Sequence, residues 1–252
     1  YDVTNLLRAG TNAIGVQLAD GWYAGRVGMT QAHGPMRVRG VYGRKPRCLM
    51  QLQADFSDGS PRIIVTDESW KSTLNGPLRS ADLYDGESYD ARREMPGWDQ
   101  PGFDDSGWRA VEVDNGIKAQ LRAQPSEPIR ILHEIKPKAV RRQEDRQYIF
   151  DLGQNMVGRV RIRVRGKAGA VIRIRHAEAL APDGGLYTAM LRGAFQTDSY
   201  TLRGDPNGEV FEPRFTQHGF RYVEVNNLDY APAPDDLHGR VFYSSVPQAG
   251  SF

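Results

Sequence analysis

Apolar and polar residues alternate with a period of two along much of this chain, and the clearest stretch runs from Arg159 to Arg165. There Val160, Ile162 and Val164 alternate with Arg159, Arg161, Arg163 and Arg165, the pattern of a strand with one face buried and one in water. A slip of one residue would bury four arginines, so the pattern itself fixes the facing. Just upstream, Phe150-Asp151-Leu152-Gly153-Gln154-Asn155-Met156-Val157-Gly158 opens this region. Downstream, Gly166-Lys167-Ala168-Gly169 leads to Val171–His176, with Ile172 and Ile174 inward, and so short a link predicts an antiparallel hairpin. More strands are expected at 198–202, 210–225 and 240–245, with Gly219 marking a bulge or a close backbone approach.

Earlier in the chain, Asp2 to Asn12 predicts a short helical turn capped by Asp2 or Thr4 and closed at Gly10. A strand from Ala13 to Ala19 should follow, with Ile14, Val16 and Leu18 inward. β-Hairpins continue through Cys48 to Phe56 and from Ile63 to Thr66. No window keeps apolar residues three and four apart for long, so no long amphipathic helix is expected. The prediction is an all-β protein with two β-sandwich domains, residues 1–118 and 147–252, joined by an extended linker strand over 119–146. Pro125, Pro128 and Pro137 break up that linker. The turn, Gly-x-Asn and alternating strand of the first domain resemble galactose-binding-like jelly rolls. Because the chain starts on an isolated strand fragment, the first strands of that domain are expected to be missing.

Composition adds exclusions. The 252 residues suffice for two cores, and 33 basic against 31 acidic side chains give a net charge of +2. That balance argues against a nucleic-acid or membrane-surface partner, and the arginine face reads as solvated. No apolar run approaches the roughly 18 residues that span a bilayer, and no signal peptide is recognisable. The sequence is compatible with a cytoplasmic or a secreted protein. Cys48, the single cysteine, cannot form an internal disulfide and reads as a buried strand residue.

Two loops carry candidate chemistry. Asp20-Gly21-Trp22-Tyr23-Ala24-Gly25 places a carboxylate and two aromatics together, and Asp85-Gly86-Glu87-Ser88-Tyr89-Asp90-Ala91-Arg92 sets three carboxylates around a tyrosine. Sugar sites use this mixture, an aromatic face for the apolar side of the ring and carboxylates for its hydroxyls. Asp20, Trp22, Tyr23, Glu87, Tyr89 and Asp90 are therefore sugar-binding candidates on one shared rim; the alternative is that Trp22 and Tyr23 pack the sandwich edge. Asp20, Asp85 and Glu87 are candidate oxygen ligands for Ca²⁺, although their spacing is not that of an EF-hand and no cofactor is required. His176 and Glu178 lie two apart, on one side of a strand, and His218 could join them as a metal or acid–base cluster; a structural hydrogen-bonding role is the other reading. No Gly-x-Ser-x-Gly elbow, phosphate-binding loop, paired cysteine or His-Glu-x-x-His is present.

Taken in order, Asp20–Gly25, Gly86–Arg92, Phe150–Gly158, Arg175–Glu178 and Pro213-Arg214-Phe215-Thr216-Gln217-His218-Gly219-Phe220-Arg221-Tyr222 resemble the non-catalytic N-terminal half of bacterial α-L-rhamnosidases. The resemblance implies a rhamnosidase N-terminal β-sandwich followed by a concanavalin-like one. It further implies an accessory or scaffold role, with possible carbohydrate binding, in an enzyme that releases terminal α-L-rhamnose from glycosides. In that family a six-hairpin (α/α) barrel supplies the acid and base for inverting hydrolysis, two carboxylates about 6.5 to 9.5 Å apart. Nothing here matches the barrel, so no catalytic residue is assigned and this chain alone is expected to be inactive. Its implied partners are that barrel and a rhamnose-containing carbohydrate. Some family members bind L-rhamnose with calcium in an accessory sandwich, but here Gly21, following Asp20, offers no side-chain oxygen. The alternative is a free-standing carbohydrate-binding or adhesive β-sandwich protein.

Overall fold

The computed structural model describes residues 1–26, 38–116, 120 and 122–250. The hairpins expected between Arg26 and Val38 and the boundary expected at 118/119 lie outside the described residues. In chain order the strands are β1 (Gln51–Asp55), β2 (Pro61–Val65), β3 (Lys71–Ser72), β4 (Leu78–Asp82), β5 (Gly86–Asp90) and β6 (Arg109–Ala110). Then come β7 (Ile129–Ile135), β8 (Ala139–Glu144), β9 (Gln147–Val164), β10 (Val171–Ala177) and β11 (Ala179–Leu180). The last are β12 (Leu186–Tyr187), β13 (Thr197–Thr201), β14 (Glu209–Phe211), β15 (His218–Asn226) and β16 (Leu237–Ser244). The helical pieces among them are single turns, so the all-β expectation holds. No helix among the described residues is long and apolar enough to cross a membrane.

Two compact units result. One gathers Tyr1–Leu18, Lys45–Gly76 and Arg93–Leu121; the other gathers Ala19–Arg44, Pro77–Arg92 and Arg122–Phe252. The units therefore interleave along the chain, because β4 and β5 pair into the large sheet of the second unit.

In the first unit β1 pairs with β2 across the Ser57–Ser60 turn, and β3 pairs with β6. The N-terminal turn is a 3₁₀ turn, Thr4–Leu6, with Asp2 accepting the Thr4 N–H at 2.9 Å and Gly10 at φ +90°. Ala13 to Ala19, however, is not a strand. Ile14, Val16 and Leu18 are between 40 and 46% exposed, because no described strand pairs with this segment and covers it. Cys48 is also exposed rather than buried.

The second unit is organised by β9. Along one of its edges lie β8 and then β16, along the other β15 and then β14. Gly158 sits where β15 and β16 flank it, and a side chain there would run into the Arg240 carbonyl, so only glycine fits. This arrangement overturns the hairpin expected from Gly166–Gly169. Both edges of Arg159–Val164 are taken, so β10 pairs instead with β15 and β13, and the short link passes between non-neighbouring strands. The facing is nevertheless as the pattern dictates. Phe150, Leu152, Met156, Val160, Ile162 and Val164 share one core with Ile172, Ile174, Phe220, Val223 and Val225. The sheet continues from β10 through β13 to β5 and β4, with β13 and β5 parallel.

The expected linker is likewise part of this sheet. β7 pairs with β16 and β8 with β9, their prolines lying outside the strands. Near Gly219 the irregularity falls one step later, between Phe220 and Tyr222. Arg221, at that bulge, grips Asp151 with two hydrogen bonds of 2.8 and 2.9 Å, while Asp151 also accepts the Gly153 N–H at 2.7 Å. The arginine face is charge-balanced in part: Arg159 pairs with Glu212 at 2.7 Å, Arg175 with Glu224 at 3.1 Å, and Arg165 stacks over Tyr230.

Candidate functional sites

The first candidate is a surface rim. Asp20 precedes a single helical turn, α1 (Gly21–Ala24), whose Ala24 N–H returns to the Asp20 carbonyl at 3.0 Å. The chain then runs antiparallel against Arg39 and Gly40. Gly25 has no room for a side chain, which would strike the Gly21 carbonyl and the Asp82 carboxylate. That approach lets Asp82 accept the Arg26 N–H at 2.6 Å while its second oxygen holds the β4–β5 turn through the Tyr84 and Asp85 amides. Arg39 bridges the two predicted loops, lying 2.7 Å from Asp20, 3.1 Å from Asp82 and 3.6 Å from Asp85. Buried Arg26 adds an ion pair to Asp85 and donates to the Gly193 carbonyl at 2.7 Å.

A 350 Å³ pocket opens here, lined by Asp20, Ala24, Arg39, Gly40 and Arg44. Trp22 is 55% exposed and Tyr23 exposed with its ring against Gly43, so neither is buried in a sandwich edge. The other sugar candidates turn inward. Glu87 is buried and accepts the Arg214 and Phe215 amides, both at 2.9 Å. Burial pushes its carboxyl up, and those two amides offset part of the rise. Tyr89 stacks on Tyr200 at 5.9 Å against the core, and Asp90 is buried and chelated by Arg92. Asp20, Asp85 and Glu87 thus do not converge as a ligand set: the first two share the Arg39 guanidinium, and the third is spent on backbone amides.

The second candidate is internal. Among the described residues, the one trio of metal-ligating side chains that converges is His176, Asp198 and His218, all buried, from the adjacent strands β10, β13 and β15. His218 Nε2 lies 3.2 Å and His176 Nε2 3.9 Å from the same Asp198 oxygen, Oδ2. The imidazoles lie 4.3 Å apart, and Phe220 packs its ring against His176. Asp198 Oδ1 accepts the Glu87 N–H at 2.8 Å, and Thr216 Oγ1 is 3.3 Å from His218 Nε2. Burial lowers His176 to about 3, His218 adding to the effect, so the ring is neutral near pH 7. Burial alone would raise Asp198, but His218, His176 and the Glu87 amide together bring it below the ordinary carboxylate value.

The two histidines expected to meet do meet; Glu178 does not join them. It lies beyond the end of β10, exposed, and accepts from Asn155 at 3.1 Å. Sequence reasoning missed Asp198. Its signal was parity: Asp198 shares a strand face with Tyr200 and Leu202, and a carboxylate on a core-facing position requires partners.

Comparison with known proteins gives these features a setting. The alpha-L-rhamnosidase N-terminal domain matches residues 1–133, and the bacterial alpha-L-rhamnosidase concanavalin-like domain matches residues 141–243. An alpha-L-rhamnosidase of Streptomyces avermitilis is 47% identical over 98% of the chain and 23% of its own length. Of solved structures, a Streptomyces avermitilis alpha-L-rhamnosidase complexed with L-rhamnose superposes with a TM-score of 0.83 at 47% identity, over 90% of this chain and 21% of that one. The alpha-L-rhamnosidase of Dictyoglumus thermophilum gives 0.79 at 38% identity, over 89% and 24%. The chain spans 23 to 27% of the length of the curated relatives it matches. With both domains in order over nearly its whole length, the chain belongs to the bacterial alpha-L-rhamnosidase family.

Proposed function

We propose that this chain is the accessory and scaffold part of a longer α-L-rhamnosidase, which hydrolyses terminal α-L-rhamnose from glycosides through an (α/α) barrel carried elsewhere in the same polypeptide. The observation that carries the reading is the match of two successive rhamnosidase domains within a chain that spans about a quarter of its relatives. The role of the chain is then to present the barrel with a rigid sheet and a surface rim.

Carbohydrate contact falls to that rim. Trp22 offers an exposed aromatic face for a deoxy sugar, with Tyr23 beside it, and Asp20, Arg39 and Arg44 line a pocket able to hydrogen-bond hydroxyls. A relative solved with L-rhamnose supports the choice of sugar. With Arg39 between Asp20 and Asp85, binding here needs no calcium.

The purified chain, assayed with an aryl α-L-rhamnoside, should show no turnover, whereas the complete open reading frame should hydrolyse it. A complete product that binds rhamnosides without cleaving them would instead support the free-standing binding protein. Calorimetry of the chain with L-rhamnose should give a millimolar to micromolar affinity, about 4 to 8 kcal/mol. Trp22→Ala should weaken it roughly tenfold, about 1.4 kcal/mol. Unchanged affinity in that variant would move the site off the rim.

A further inference from the structure

We infer that His176, Asp198 and His218 form a buried structural site for a first-row divalent metal of zinc type, bound through His176 Nε2, His218 Nε2 and Asp198 Oδ2. The spacing fits. Zinc bonds of about 2.0 to 2.2 Å in tetrahedral geometry set donor atoms about 3.4 Å apart, and the observed separations from Asp198 Oδ2 are 3.2 and 3.9 Å. The three donor atoms lie within 4.8 Å of one another, so closing on a metal needs side-chain shifts of up to about an ångström.

The second argument is an unpartnered lone pair. His176 Nδ1 lies 3.1 Å from the Gln196 carbonyl, which can only accept, so Nδ1 carries the hydrogen and Nε2 is bare. Nε2 is buried without a hydrogen-bond partner, and the nearest charged atom is a carboxylate oxygen, itself a lone-pair donor. The bare Nε2 lone pair of His176 is thus turned toward Asp198 Oδ2, which His218 Nε2 also approaches at 3.2 Å, and a cation at their centre would satisfy it.

Around His176 and Asp198 the contacts are those that orient ligands in metal sites, while His218 Nδ1 is buried without a partner. The Gln196 carbonyl fixes the His176 tautomer from a residue held at φ +44°, a conformation that side chains rarely adopt. The Glu87 amide fixes Asp198 through its other oxygen. The donor set, two imidazoles and one carboxylate, suits zinc and its neighbours rather than Ca²⁺, which takes six or more oxygens. Because the three residues are shut away from solvent, the metal would enter as the sheet closes. It would tie β10, β13 and β15 together and, through Glu87, hold β5 against β13.

The test uses the whole protein, refolded in Zn²⁺ and dialysed free of loose metal. Metal analysis should find one more zinc equivalent than in the His176→Gln variant, and stripping with a strong chelator should lower the unfolding temperature by several degrees. Crystals of the wild-type protein, measured on both sides of the zinc absorption edge, should show an anomalous peak within bonding distance of all three side chains. This last readout does not depend on the variant folding. Crystals grown with Zn²⁺ that show no peak at the cluster, whether or not zinc sits elsewhere, overturn the proposal.

Discussion

Ile64 and Phe220 stand on strands that read alike in the sequence, and the two units treat them differently. In the first unit β2 is exposed along its whole length, Ile64 at 44%; in the second Phe220 is fully buried among side chains from both halves of β9. Both segments have the apolar content and bounding turns of strands. What separates them is neighbours: among the described residues β2 has one partner, β1, whereas β15 lies between β9 and β10. An apolar pattern makes a strand possible, and burial depends on the strands that cover it.

The largest test of this contrast is Phe220→Ala. Removing a ring from the closed core should cost ~3 to 5 kcal/mol in chemical denaturation. A loss below ~1 kcal/mol would mean that the β9–β15 core is far looser than its packing implies.

Next comes Asp151→Asn, which weakens the clasp to Arg221 at the β15 bulge and should cost about 1 kcal/mol at pH 7, modest because both groups are partly exposed. The cost should also depend on pH. The hydrogen bonds from Arg221 hold the Asp151 carboxyl below its ordinary 3.8. Its stabilisation is therefore fully present above about pH 4 and fades as the pH falls through the folded value. Wild type and variant should converge in acid, and a gap that stays constant down to pH 2 would remove Asp151 from the account.

The smallest effect should be Ile64→Ala. On the exposed β2 strand it should cost no more than ~0.5 kcal/mol, as read by the same denaturation experiment. A loss comparable to that of Phe220→Ala would show that β2 is covered after all.

The same contrast explains what could be read from the sequence. The facing of Val160, Ile162 and Val164 follows from arginines that cannot be buried, a local argument that no distant contact overrides. Pairing is not local. The link at Gly166–Gly169 is as short as a hairpin turn, yet β14 and β16, arriving more than 40 residues later in the chain, take the edges where β10 would have docked. Of the linker strand expected over 119–146, Ile129–Ile135 and Ala139–Glu144 are indeed extended, but they pair into the sheet, and prolines mark where strands stop without showing what those strands pair with. At the rim, the composition of Asp20–Gly25 and Asp85–Arg92 suggested two associated loops, and Arg39 reaches both. Composition could not show that Arg26 and Arg39 would claim the carboxylates, nor that parallel pairing with β13 would turn Tyr89 toward the core. The buried cluster was half legible: two histidines on strands were visible, but their meeting at Asp198 depends on the order β13-β10-β15.

The β4–β5 hairpin, which lies in the stretch matched by the N-terminal rhamnosidase domain, is structurally part of the concanavalin-like sheet. Hydrogen–deuterium exchange across the chain tests this most directly. Amides of Gly86–Asp90 should be protected to the same degree as those of Thr197–Thr201 and His218–Asn226, and should lose protection together with them as denaturant is added. Gln51–Asp55 and Pro61–Val65 should exchange much faster. Exchange of Gly86–Asp90 in step with β1 and β2, while β13 and β15 remain protected, would contradict the account.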